Sequence, residues 1–111
     1  MKPTRLNAAT AFARICTLGP IEGARRWRSV TQFMSTATAG SELPDGVSFE
    51  YVNTPETLER ILEFMRIEFR CCPRLSYTIR PGSAAGMIAL DIRSVEEVGA
   101  LKALYAGFLS A

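Results

Sequence analysis

Hydrophobic positions along the chain follow two periods. Ile21, Ala24, Trp27, Val30 and Met34 recur at helical spacing and predict a helix from Pro20 to Ser35, with Pro20 suited to its first turn. Val47, Phe49 and Tyr51 then alternate with Ser48 and Glu50, the period of two expected of a half-buried strand. Thr54 follows as an N-cap, Pro55 takes the first helical position, and Glu56 lies in the first turn, where the helix dipole favours an acid. Beyond it Leu58, Ile61, Leu62, Met65 and Phe69 form a stripe expected to face the core. Pro73 forces Cys72 out of helical geometry, so this helix should end at about Cys71. Leu75, Tyr77 and Ile79, then Ile88, Leu90 and Ile92, alternate with other residues on either side of Pro81–Gly86 and predict a hairpin. Ser94 and Glu97 read as a capping box ahead of a last helix whose apolar face is Val98, Leu101, Leu104, Tyr105 and Phe108.

Two stretches lack this order. The Ser/Thr/Ala-rich segment 35–42 has no apolar periodicity and is expected to be a linker into the turn Leu43-Pro44-Asp45-Gly46. Residues 1–19 read either as a short helix, Asn7 to Leu18, stopped by Gly19-Pro20, or as a loosely attached arm. The order α(α)βαββα predicts an α+β fold with a small, mainly antiparallel three-stranded sheet and helices on one face. A length of 111 residues suits one such domain, 1–111.

Composition narrows the function more by exclusion than by indication. Hydrophobic residues at 48% and charged residues at 22% exclude a wholly disordered chain. Histidine is absent, which removes the commonest general base and the commonest metal ligand, so a non-enzymatic role is the expectation. The net charge of +2 conceals an Arg-rich, acid-poor start. That start has the composition of an organellar transit peptide, but the helical spacing around Trp27 favours a structural helix. Arg25-Arg26-Trp27-Arg28 has no nucleic-acid motif around it and reads as a solvated helix face with Trp27 turned inward, so nucleic acid is not an expected partner. No apolar run approaches the ~20 residues of a membrane span, and no secretory signal is convincing. Three cysteines, two of them adjacent, are not a disulfide framework, and a reducing, cytoplasmic location is expected.

Reactive groups concentrate at Arg70-Cys71-Cys72-Pro73-Arg74. Adjacent Cα atoms lie about 3.8 Å apart, short of the ~4.4–6.8 Å usual for a disulfide, so the pair is expected as free thiols. Neighbouring thiols can converge on one thiophilic metal or metalloid ion. Only Cys16 remains as a third sulfur, which excludes a closed four-cysteine zinc site in one chain. A two-coordinate ion, a three-sulfur site recruiting Cys16, and a four-sulfur site across a homodimer stay open. Arg70 and Arg74, with Arg66, would favour a thiolate, whereas the negative end of the helix dipole would not. Glu68, one turn earlier, could act as an oxygen ligand or proton acceptor, but a rim ion pair with a nearby arginine is the favoured reading. Against an ion site stands the plainer view that Cys72 is a small core residue and Cys71 incidental.

At Phe64, Glu68, Cys71-Cys72-Pro73, Leu75 and Tyr77 the chain resembles a family of small, largely uncharacterised bacterial proteins with the pattern Phe-x-x-x-Glu-Arg-x-Cys-Cys-Pro-Phe-Leu-x-Phe. The likeness extends over about residues 43 to 92, with the Leu-Pro-Asp-Gly turn and the aromatic strand after it, and more loosely over the last helix. The resemblance implies Glu68, Cys71 and Cys72 as functional positions and, through members associated with mercury or other heavy-metal response, a soft ion as ligand. Phe69 stands where the pattern has Arg, and Arg74 where it has Phe.

The leading expectation is therefore a binding protein whose Cys71 and Cys72, with Cys16 as a possible third donor and Glu68, Arg70 and Arg74 in support, capture a soft metal or metalloid ion. It requires the two sulfhydryls to be open to solvent and able to converge. The alternative is a protein-interaction or oligomerisation domain, with structural cysteines and contacts through an exposed sheet face or the basic amino-terminal helices. Thiol redox chemistry ranks third, because Cys-x-x-Cys at a helix N-terminus is absent.

Overall fold

The computed structural model describes residues 11–12 and 15–109. Strands β1 (Ala39–Leu43), β2 (Gly46–Val52), β3 (Ser76–Pro81) and β4 (Met87–Arg93) form one sheet in the order β1-β2-β4-β3, antiparallel at every pairing. Helices α1 (Pro20–Met34), α2 (Pro55–Cys71) and α3 (Val98–Tyr105), then a 3-10 turn at Ala106–Phe108, complete the fold. Strands β2 and β3 are each antiparallel to β4 between them, so they run parallel to one another, and α2 is the crossover that joins them.

The α+β class is as predicted, but the sheet has four strands rather than three, and the element order is αββαββα. The added strand is β1, inside the segment expected to be a linker. Leu43 pairs with Gly46 across Pro44-Asp45, so the predicted turn is the tip of a hairpin whose first arm is Ala39–Leu43. Its apolar signal is missing because its core-facing position is Gly40. A Cβ there would come within 2.4 Å of the Phe108 carbonyl oxygen and 3.0 Å of the Phe49 ring. Close approach, rather than a large side chain, seats this strand.

Val47, Phe49 and Tyr51 of β2 and Leu90 and Ile92 of β4 point to one face of the sheet and are buried. All three helices send aromatic rings to that face. Phe33 of α1 stacks on Tyr51 at 5.0 Å, Phe64 of α2 meets Tyr77 at 6.1 Å, and Tyr105 of α3 meets Phe49 at 5.5 Å. The other face is polar at its centre. The Ser48 hydroxyl donates to Asp91 Oδ1 at 2.6 Å, and Arg80 Nε donates to Asp91 Oδ2 at 2.7 Å. Arg93 approaches the same carboxylate to 3.4 Å.

Helix α2 starts as predicted, with the Thr54 hydroxyl accepting the Thr57 N–H at 3.1 Å and Pro55 opening the first turn. Its buried line differs from the predicted stripe. Ile61, Phe64, Glu68 and Cys71 are buried, whereas Leu58, Leu62 and Phe69 are exposed. The helix is rolled because α1 packs along its Phe64 flank, where Phe33 and Phe64 stack at 4.9 Å, leaving the Leu58–Phe69 line on the other flank. Helix α1 is shifted likewise. It buries Gly23, Arg26, Val30 and Met34, exposes Ile21, and holds Trp27 half-buried against Phe12, Tyr105 and Phe108. Arg26 is thus a core residue, not part of a solvated basic face.

Ahead of α3 the Ser94 hydroxyl accepts the Glu97 N–H at 2.9 Å, the first half of the predicted capping box, and the helix itself opens at Val98. Residues 11, 12 and 15 are helical, and the remainder of the expected Asn7–Leu18 helix up to residue 14 lies outside the described residues. The following turn is tied down rather than loosely attached. Thr17 donates to the Cys71 carbonyl from its backbone N–H at 2.8 Å and from its hydroxyl at 3.2 Å.

Candidate metal centre

Two chain segments meet at the C-terminal end of α2. The helix supplies Glu68 and Cys71, and its C-cap residue Cys72 (φ −130, ψ 66) has left helical geometry ahead of Pro73, as expected. The tie from Thr17 to the Cys71 carbonyl brings Cys16 alongside. The Sγ atoms of Cys16, Cys71 and Cys72 all lie within 4.8 Å of one another, with Cys71 and Cys72 at 3.6 Å. All three are free thiols. Three sulfurs held about 2.3 Å from one ion would stand roughly 4 Å apart, so these positions already bracket the spacing of a shared site.

The cluster converges as a common site requires, but it is not open to solvent. Cys71 and Cys72 are 3% exposed and Cys16 is 7% exposed. The vicinal pair is closed off because Cys71 continues the buried line of α2, and Cys72, with Leu75, turns into the core below it.

Glu68 organises the pair. Its Oε2 accepts from Cys72 Sγ at 3.0 Å and from Cys71 Sγ at 3.3 Å. The expected rim ion pair is replaced by a buried one, since Glu68 is 3% exposed and its partner is Arg26, 3.8 Å away. Arg26 also donates to the Phe64 carbonyl at 3.3 Å and lies over the Phe64 ring at 5.2 Å. Burial, then the Glu68 charge, push the Cys71 thiol up to about 12, although its contact with Cys72 acts the other way. The same two causes push Cys72 higher still. Both sulfurs therefore hold their protons at neutral pH and donate them to the carboxylate.

Two polar groups beside the cluster have no partner among the described residues: Arg26 Nε and the Tyr77 hydroxyl. Burial first, then Glu68, push the Tyr77 hydroxyl well above its ordinary value, and Tyr105, Cys72 and Cys71 act in the same direction. An orphaned donor in a core is costly unless something in the site accepts from it. Arg26 also lines a groove of about 530 Å³ between α1 and α2, walled by Phe33, Phe64, Arg60 and Gln32.

Of the residues expected at the site, Cys16, Cys71, Cys72 and Glu68 are brought together. Arg70 is exposed, and Arg74 turns to Glu97 at 3.4 Å and Glu96 at 3.9 Å. Arg26 and Tyr77 were not expected there. Arg26 carried a readable signal, since it shares a helical line with Val30 and Met34. For Tyr77 the signal was only that of a strand residue facing the core.

Compared with family models, curated proteins and solved structures, the chain matches none of them. The vicinal pair with Cys16 beside it is an arrangement compatible with binding a metal. Among the described residues no helix is long and apolar enough to cross a membrane.

Proposed function

We propose that this protein captures a soft metal or metalloid ion through Cys71, Cys72 and Cys16. The observation that carries the reading is the convergence of three free sulfurs from two chain segments within 4.8 Å. Soft thiolate donors without histidine select thiophilic ions over magnesium or calcium.

Burial narrows the class further. An ion held here must not leave a large net charge in the core, because desolvating an unpaired charge costs several kcal/mol or more. Three thiolates around a divalent ion carry a residual negative charge beside Glu68. Two thiolates around Hg(II), or three around trivalent arsenic or antimony, carry none. Those ions are the preferred cargo. With arsenite each thiol proton leaves with one of the arsenite hydroxyls as water, and with Hg(II) the two protons pass to solvent. Glu68, accepting from both vicinal thiols, orients the pair. The Thr17 tie must open for the ion to enter, since both of its hydrogen bonds close the Cys16 segment onto Cys71. The resemblance of the Phe64–Tyr77 signature to small bacterial proteins, some associated with heavy-metal response, is proposed as a kinship and points the same way. So does a reducing, cytoplasmic setting, in which the thiols stay free.

Calorimetric titration of the reduced protein with arsenite and with Hg(II) tests the reading. One ion bound per chain, lost in Cys71→Ser/Cys72→Ser, is the expected result. Equally weak binding by both proteins overturns it.

A further inference from the structure

Two features that the cysteine cluster does not use lie side by side. One is the uncovered line on α2. Leu58, Leu62 and Phe69 are 37%, 46% and 57% exposed, with half-buried Met65 between them, at the i, i+4, i+7, i+11 spacing of a single helical stripe. The opposite flank of α2, with Arg60, Phe64 and Ile67, faces α1 across the groove. The stripe therefore lies on the side away from α1 and adjoins β3, where Phe69 packs edge-on against Tyr77 at 5.5 Å. Scattered surface hydrophobes need no explanation, but a contiguous apolar line beside a sheet edge does.

The other feature is that edge. Strand β3 is outermost, and no strand among the described residues pairs with its far side. The Gly82 N–H donates to Met87 at 2.9 Å, so the alternation of an antiparallel ladder turns Arg80, Thr78 and Ser76 towards β4 and leaves the N–H and C=O groups of Tyr77 and Ile79 pointing outward.

We propose that the α2 stripe and the β3 edge together form the interface of a two-fold homodimer. The edge is self-complementary. Antiparallel pairing centred on Thr78 sets Tyr77 opposite the partner's Ile79 and Ile79 opposite the partner's Tyr77, and each pair exchanges both of its backbone hydrogen bonds. The same axis runs α2 antiparallel to its copy, with Leu58 opposite the partner's Phe69 and Leu62 opposite the partner's Met65. Charge agrees with that direction. On the flank of α2 away from the α1 groove, which Arg60 and Glu63 line, Glu59 lies in the first half of the helix and Arg66 and Arg70 in the second, all exposed. Arg66 also reaches Glu63 of its own helix at 3.1 Å. Antiparallel apposition brings Glu59 towards the partner's Arg66 and Arg70, and it also opposes the two helix dipoles. A second copy supplies the edge bonds, the apolar cover and the reversed charges together, and the two sheets continue into one. The interface uses none of the three cysteines, so it stands apart from the ion-binding reading.

Light scattering on the size-excluded full chain should give about twice the 12.2 kDa of one chain. Leu62→Glu/Phe69→Glu should weaken self-association roughly tenfold or more, with far-UV circular dichroism unchanged. Ile79→Pro should do the same, because the lost N–H points away from β4 and proline is tolerated on an edge. A charge exchange covers the case in which either variant misfolds. Glu59→Arg alone and Arg66→Glu/Arg70→Glu alone should each dimerise several-fold more weakly than wild type, and their mixture should recover a heterodimer. A monomer at every concentration overturns the proposal, as does a dimer that persists in both the stripe and the edge variants, or a mixture that associates no better than its components.

Discussion

Glu68 Oε2 accepts a hydrogen bond from Cys72 Sγ at 3.0 Å, inside a core where each residue is only 3% exposed. Burial first, and that carboxylate second, keep the two neighbouring thiols protonated. Together they make the site slow towards ordinary thiol reagents, whose attack requires a thiolate in an accessible position.

Thiol reactivity should show this directly. With Cys71 held up at about 12, labelling by a disulfide reagent at pH 8 should run at least about a hundredfold more slowly in the folded protein than after unfolding. The folded thiol keeps its proton more tightly than the unfolded one, whose ordinary value is 9.0. Its contribution to stability is thus complete below pH 9 and is lost as pH rises towards 12. Denaturation midpoints across that alkaline range should fall for wild type and fall less for Cys71→Ser.

Arg26 and Glu68 pair inside the core at 3.8 Å. Removing one member strands the other in the core, so Arg26→Met or Glu68→Leu should each cost about 3 kcal/mol in urea denaturation. The double variant leaves no unpaired charge and should cost clearly less than the two singles together. Additive losses would mean that the two side chains do not interact.

On the polar face of the sheet, burial works to raise the Asp91 carboxyl, but the hydrogen bonds from Arg80 and Ser48 and the charges of Arg80 and Arg93 outweigh it and hold it below the ordinary 3.8. The stability this supplies is complete above that ordinary value and is lost as pH falls through the lower folded one. Asp91→Ala should cost about 2 kcal/mol at neutral pH, because Ser48 and Arg80 lose their acceptor. Denaturation followed from pH 6 down to pH 2 should show a shallower acid loss in the variant.

Strand β1 depends on a glycine. Gly40→Ala places a methyl group against the Phe108 carbonyl and the Phe49 ring and should destabilise by about 1–3 kcal/mol. Gly99, on an exposed part of α3 with nothing within 4 Å of its missing Cβ, is the control. Gly99→Ala should be neutral or stabilise by up to about 1 kcal/mol. Thermal melts of the two variants read the difference.

These residues also show what could be read in the chain and what could not. Helix α2 was legible to the residue at its start, because Thr54 and Pro55 act within one turn, and nearly so at its end, where Pro73 bars Cys72 from helical geometry. The β3–β4 hairpin followed from period-two alternation alone. Strand β1 was hidden, since its contact with the core is made by a glycine and leaves no apolar mark. The rotation of α1 and α2 was hidden for a different reason: two overlapping apolar lines run along α2, and only the position of α1 decides which one is buried. At the site, the pairing of Cys71 with Cys72 lay in plain view. The arrival of Cys16 depends on the Thr17 tie, and that of Arg26 on the roll of α1, both tertiary facts.

X-ray absorption at the arsenic edge, on the reduced protein loaded with one equivalent of arsenite, reads how many of the three sulfurs hold the ion. Three sulfur neighbours in wild type, falling to two in Cys16→Ser and accompanied by oxygen in Cys71→Ser/Cys72→Ser, is the predicted result. Arsenic that keeps its three oxygens in wild type, or a sulfur count that ignores the cysteine substitutions, would mean that the cluster is not an ion site.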